Sequence, residues 1–156
     1  MQGDVVTVEK VIQASPEAIF SLLVDASEHP KFDGSGMVKQ AKPGAPGRLT
    51  LGSTFGMSMK LGIGYSTVNT VVEFEENRRI AWQTGPRGLL RKFLAGRIWR
   101  YELEPLEGGC TRVRESWDIS QDHQRMFLKL GPLPKKTGAD MSRTLDRIEE
   151  MTSGKK

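Results

Sequence analysis

The sequence predicts an α+β domain in which a curved antiparallel sheet is covered by one long amphipathic helix. Three observations carry this. From position 37 to position 119 the chain alternates with period two, broken by short glycine- or asparagine-containing joins suited to hairpins. A strong helix start, Ser15-Pro16-Glu17, stands just after the first strand. The helical period then returns only near the C-terminal end, over Met141, Leu145, Ile148 and Thr152.

The elements follow in order. Asp4 to Gln13 reads as a strand, with Val6, Val8 and Lys10 on one face and Val5, Thr7, Glu9 and Val11 on the other. Apolar residues on both faces imply partial cover on both. Ser15 then serves as N-cap, Pro16 takes the first helical position, and Glu17 complements the helix dipole. Ile19, Phe20, Leu22, Leu23 and Val24 form that helix's buried stripe. Ser27 to Phe32 reads as a second short helix or tight turn, limited by Pro30.

Further strands are expected at Met37–Ala41, Thr54–Leu61, Tyr65–Glu75, Arg79–Thr84, Arg97–Glu104 and Thr111–Ile119. Consecutive strands on short turns make an antiparallel meander. The last helix is expected to open near Thr137 and end before Gly154. Its outer face pairs Asp140 with Arg143, Arg143 with Asp146, and Arg147 with Glu150. One helix cannot fill the concavity of so large a sheet, so a cavity of roughly 300–1,000 Å³ is expected between them.

A chain of 156 residues, 37% hydrophobic and 27% charged, suits a single domain over 1–156, with its core at about 4–152. No run approaches the roughly 18 apolar residues of a membrane span. Met1-Gln2-Gly3-Asp4 lacks the order of a signal peptide, so the expected location is cytoplasmic. The single cysteine, Cys110, excludes an internal disulfide and an all-cysteine metal site. The net charge is +4, and five basic residues lie between Arg87 and Arg100 with no acid among them. No nucleic-acid-binding motif accompanies that charge, which argues against such a partner.

These residues carry a family resemblance. Val8-Glu9-Lys10-Val11-Ile12 precedes Ser15-Pro16-Glu17-Ala18-Ile19-Phe20. Further along come Val71-Val72-Glu73-Phe74-Glu75, Arg79-Ile80-Ala81-Trp82, Trp99-Arg100-Tyr101-Glu102-Leu103-Glu104-Pro105 and Thr111-Arg112-Val113. In that order, over about positions 4 to 152, the chain resembles the polyketide cyclase/dehydrase and lipid-transport family of the START/Bet v 1-like (SRPBCC) superfamily. The resemblance implies a helix-grip fold: about seven strands wrapped around a long C-terminal helix, with two short helices after the first strand. It also implies a pocket for a hydrophobic or amphipathic small molecule.

Strand parity selects pocket residues. Trp99, Tyr101 and Leu103 alternate with Arg100, Glu102 and Glu104, so the first set points inward. Val113, Glu115, Trp117 and Ile119 share a parity, which sets Glu115 among apolar neighbours. An inward carboxylate must be paired, hydrogen-bonded or protonated, and burial raises its pKa toward general acid or base work. A structural pairing with an arginine or backbone donor, or a bulge turning Glu115 outward, is the competing expectation. Met57 and Met59 run in phase with Phe55. Val68, Thr70, Val72 and Phe74 form the expected inward set of the longest strand, and Ile80 and Trp82 share a parity on the next. The ligand-contacting set is thus Met57, Met59, Val68, Thr70, Trp82, Trp99, Tyr101, Glu115 and Trp117, with Met141 and Leu145 from the final helix.

His29 and His123 have no metal-binding spacing and read as loop or helix-surface residues. No nucleophile elbow, P-loop or complete dinucleotide fingerprint is present, and Gly62-x-Gly64 reads as a hairpin turn. No cofactor or metal is called for. The segment Gly85 to Gly96 is longer than the connection usual in the family. Leu89, Leu90, Phe93 and Leu94 gather on one helical face beside Arg87, Arg91 and Lys92, as in a lid, a contact with an anionic membrane surface, a partner site or a plain solvated loop tucked down by its leucines.

Three functions follow, in order. The first is binding of a hydrophobic small molecule such as a lipid or polyketide, by a carrier, sensor or sequestering protein. The second is a cofactor-free cyclase or dehydratase with Glu115 as acid/base and Tyr101 as hydrogen-bond donor. The third is an interaction module acting through residues 85–96. Monomer and homodimer are both compatible with the sequence.

Overall fold

A computed structural model gives the fold and describes residues 1–42, 47–61, 63–86 and 95–153. Seven strands form one antiparallel sheet in the order β1-β7-β6-β5-β4-β3-β2. They are β1 (Val5–Ile12), β2 (Val38–Ala41), β3 (Thr54–Leu61), β4 (Ile63–Glu75), β5 (Arg79–Pro86), β6 (Arg97–Pro105) and β7 (Thr111–Asp118). Every strand from β2 to β7 pairs with the next in sequence, and β1 closes against β7.

On β1, Val6 and Ile12 are buried while Thr7, Glu9 and Val11 are exposed. The expected cover on both faces is therefore corrected. The C-terminal helix packs against one face of this edge strand, and the other meets water.

The chain leaves β1 through α1 (Pro16–Leu23), where Ser15 Oγ accepts from the Ala18 N–H at 3.1 Å and Pro16 has no N–H that needs an acceptor. A 3₁₀ turn at Ala26–Glu28, capped by Asp25, leads into α2 (His29–Phe32). After β7 come a single turn, α3 (Arg125–Leu128), and the long α4 (Leu133–Thr152). The last helix opens a turn earlier than Thr137. Pro134 falls in the first turn, where its missing N–H costs nothing.

Met141, Leu145, Ile148 and Thr152 form the buried stripe of α4. The expected outer-face ladder is mostly corrected. Arg143 does pair with Asp140, but Asp140 is buried and also takes Lys136 at 2.7 Å. Asp146 is held by Lys10 of β1 at 2.6 Å, and Arg143 and Arg147 donate to the carbonyls of Gly34 and Asp33. These bonds strap the segment after α2 onto α4. Only glycine fits at position 34, since a Cβ would stand 2.2 Å from the Asp140 carbonyl and 2.6 Å from the Thr144 nitrogen.

The longest strand carries a bulge. Val71 pairs with Trp82 and Glu73 with Ala81, so Val72 is an extra residue. Before the bulge, Thr67, Asn69 and Val71 are buried. Beyond it Phe74 turns inward onto Phe20 (ring centroids 5.6 Å apart), and Glu73 receives Arg100 on the outer face. The expected inward set Val68, Thr70 and Val72 is corrected accordingly: the parity of Phe74 does not extend back across Val72.

The core has two parts. One gathers α1, Phe32, Ile80, Leu103, Val113, Leu145 and Ile148, and the other gathers Val6, Trp117, Ile119, Leu128 and Met141. Among the described residues, no helix is long and apolar enough to cross a membrane.

Candidate functional site

Between the concave face of the sheet and α4 lies a cavity of about 480 Å³. Its wall from β5, β6 and β7 includes Trp82, Thr84, Arg97, Trp99, Tyr101, Glu115 and Trp117. From β3 and β4 come Phe55, Met57, Met59, Tyr65, Thr67 and Asn69. His29, Phe32 and Asp33 enter from α2 and its C-terminal boundary, and Thr137, Asp140, Met141 and Thr144 from α4. Exposed Tyr65, Gln124 and Lys136 belong to the same lining and mark its solvent side.

Of the residues selected from sequence, Met57, Met59, Trp82, Trp99, Tyr101, Glu115, Trp117 and Met141 line this cavity. Three do not. Val68 and Thr70 lie on the opposite face of β4, for the bulge just described. Leu145, which follows the lining residue Thr144, is buried in the core with Ile148. Leu89, Leu90, Arg91, Lys92, Phe93 and Leu94 lie outside the described residues.

Aromatic packing sets the wall. The His29 ring stacks on Trp82 with centroids 4.8 Å apart and an interplanar angle of 23°. Phe55 meets Trp82 edge-on at 5.7 Å, and Tyr101 follows at 5.6 Å. His29 is thus no surface residue. Its Nε2 donates to the Leu23 carbonyl at 2.9 Å, and burial lowers its pKa to about 4, so the ring is neutral at physiological pH. Pro30 starts a helix that turns this ring inward, a placement that depends on where α2 docks rather than on local sequence. His123 is exposed.

Glu115 is the distinctive group. Its register is unbroken: Val8 flanks it on β1 and Tyr101 on β6. It is only 2% exposed. The Tyr101 hydroxyl donates to Oε1 at 2.8 Å, while Oε2 has no hydrogen-bond partner among the described residues. The carboxyl is therefore neither bulged outward nor paired with an arginine. Burial pushes its pKa up to about 8, and the charge of nearby Asp33 acts in the same sense, against the Tyr101 hydrogen bond. Tyr101 itself is raised well above the phenol range, first by burial and then by Glu115.

Several other polar groups of the lining are occupied. Asn69 donates to the Phe55 carbonyl at 3.3 Å and accepts from Thr84 at 2.6 Å. Arg97 pairs with buried Asp122 at 3.1 Å, and Lys136 with Asp140. Asp33 accepts from Ser35 and from the Val38 N–H. Among the described residues, Glu115 Oε2 is the one fully buried side-chain nitrogen or oxygen without a hydrogen-bond partner. A mostly protonated carboxyl at neutral pH can donate to a carbonyl or ether, and its ionised fraction can take a proton. Among the described residues, no group of three His, Cys, Asp or Glu side chains is arranged to hold a metal.

Comparison with known proteins agrees with this architecture. A family model described as polyketide cyclase/dehydrase and lipid transport matches residues 4–151. An uncharacterized protein of Mycobacterium tuberculosis is 28% identical over 143 residues, covering 88% of this chain and 59% of that protein. The chain thus spans about three-fifths of the length of the curated relatives it matches. A START superfamily protein from Mycobacterium smegmatis superimposes with a TM-score of 0.70 at 19% identity, covering 96% of this chain and 97% of that one. Ginseng major latex-like protein 151 from Panax ginseng gives 0.69 at 13% identity, covering 96% and 99%.

Proposed function

The chain belongs to the polyketide cyclase/dehydrase and lipid transport family, and from that membership we propose that it binds a hydrophobic small molecule in its cavity as a carrier, sensor or sequestering protein. The observation that carries this is an aromatic and methionine wall around about 480 Å³, in which one carboxyl keeps an open oxygen. Apolar surface supplies the affinity, and Glu115 orients a single polar group of the ligand. Organic extraction of purified protein followed by mass spectrometry tests this. A bound lipid or polyketide in near-stoichiometric amount is expected. A clean extract, together with no displaceable binding of a hydrophobic fluorescent probe, would sink the reading.

The open oxygen of Glu115 also favours a second reading, a cofactor-free cyclase or dehydratase. The ionised carboxyl would take a proton from the carbon beside a ligand carbonyl. It would return that proton to a departing β-hydroxyl, which leaves as water, and Tyr101 would hold the carboxyl in place. Turnover of a β-hydroxy-ketone substrate that Glu115→Gln abolishes, with binding retained, is the result this reading requires.

A further inference from the structure

An exposed apolar turn lies between β7 and α4. Leu128 anchors α3 in the core with Trp117, Ile119 and Met141. Its neighbours do the opposite: Met126, Phe127 and Leu130 are 69%, 73% and 69% exposed. Three large apolar side chains left in water within five residues are unusual for a surface turn already fixed by one buried leucine.

The segment that carries them is basic. From His123 to Lys136 the chain carries Arg125, Lys129, Lys135 and Lys136 and no acid. Lys129 reaches back to Asp4 and Lys136 to Asp140, whereas Arg125 and Lys135 are exposed and form no ion pair among the described residues. The patch also abuts the cavity, since Gln124 and Leu133, on either side of it in sequence, both line that space.

We infer that Met126, Phe127 and Leu130 dock the protein on an anionic lipid surface, with Arg125 and Lys135 facing the headgroups. Apolar tips flanked by cations match the boundary between acyl chains and negative headgroups. A second copy of this chain fits less well, because a two-fold contact over the patch sets Arg125 and Lys135 of both copies against one another. Docked this way, the solvent side of the cavity meets the membrane, and an apolar ligand has a short path to the lipid phase.

Flotation of the intact chain with vesicles tests this, using phosphatidylcholine alone and phosphatidylcholine mixed with phosphatidylglycerol. The wild type is expected to float with the anionic vesicles and to be released by salt. Phe127→Ser/Leu130→Ser should lose at least about tenfold in partitioning at an unchanged melting temperature. Arg125→Glu/Lys135→Glu should remove the preference for the anionic vesicles. If the double serine variant melts early, Phe127→Ser alone carries the same comparison. Absence of wild-type flotation, serine variants that float like the wild type, or a solution dimer that those variants dissociate would each overturn the proposal.

Discussion

Tyr101 and Glu115 stand directly opposite on β6 and β7, and the phenol donates to the carboxyl over 2.8 Å. The pairing leaves Oε2 open, and burial, working against the Tyr101 hydrogen bond, keeps the carboxyl neutral over most of the physiological range, with a pKa of about 8. A carboxyl whose folded pKa is raised stabilises fully below its unfolded pKa, and that contribution is lost as pH rises through the folded pKa. Unfolding free energy should therefore fall between pH 6.5 and 8.5, by an amount on the order of a few kcal/mol. Urea melts across that window should show the fall in wild type and its absence in Glu115→Gln. Parallel curves would mean that Glu115 ionises in the fold as freely as in the open chain.

His29 acts with the opposite sign. Its pKa is lowered to about 4, so its contribution is complete above the unfolded value near 6.5 and lost as pH falls toward 4. Between about pH 4.5 and 6.5 the two groups oppose each other, and wild-type stability should be nearly flat. Glu115→Gln should expose the His29 slope, with stability rising through that interval. A flat Glu115→Gln curve would remove His29 from the account.

Cavity parity gives a direct test of the ligand reading. Met57 lines the cavity and Val68 lies across the sheet. Met57→Trp places an indole into the space and should cut hydrophobic-probe binding at least about tenfold while changing stability by less than about 1–3 kcal/mol. Val68→Gln should leave binding within about twofold, since it touches no ligand. Probe titration and melting of both variants settle the comparison. Equal losses in the two would contradict the assignment of faces.

Much of this architecture was legible in the sequence, for local reasons. Ser15-Pro16 announces α1 because capping and fixed φ are properties of two adjacent residues. Val113, Glu115 and Trp117 gave the right face because β7 runs without a bulge. What escaped reading is non-local. The extra residue Val72 in β4 breaks parity through its pairing with β5, so alternation counted back from Phe74 selects Val68 and Thr70 in place of Thr67 and Asn69, which line the cavity. The inward turn of His29 depends on Trp82, Phe55 and the carbonyl of Leu23, none of which adjoins it in sequence. An asparagine within a long strand was an available signal, because that residue is unfavourable there without a partner such as Thr84.

Two glycines next to lining residues, Gly34 beside Asp33 and Gly96 beside Arg97, stand close against neighbouring backbone. Gly34 lies on α4, donating to Thr144 Oγ1 at 2.9 Å, and an added Cβ would stand 2.2 Å from the Asp140 carbonyl. Gly96, at φ +129, lies beneath the turn after β7, where a Cβ would stand 2.3 Å from the Gln121 carbonyl. Both neighbours are backbone and cannot swing aside as a side chain would. Gly34→Ala should therefore separate the 33–34 strap from α4 and cost about 2–4 kcal/mol, lowering the melting temperature by roughly 5–15 °C. Gly96→Ala adds strain at a φ that L-residues avoid, and should cost at least as much. Gly108, at φ +81 with open space around it, is the control: alanine there meets backbone strain but no clash, and about 1 kcal/mol is expected. Thermal melts of the three variants should rank Gly108→Ala well above the other two, and a Gly34→Ala protein as stable as wild type would show that the strap is not fixed to the helix.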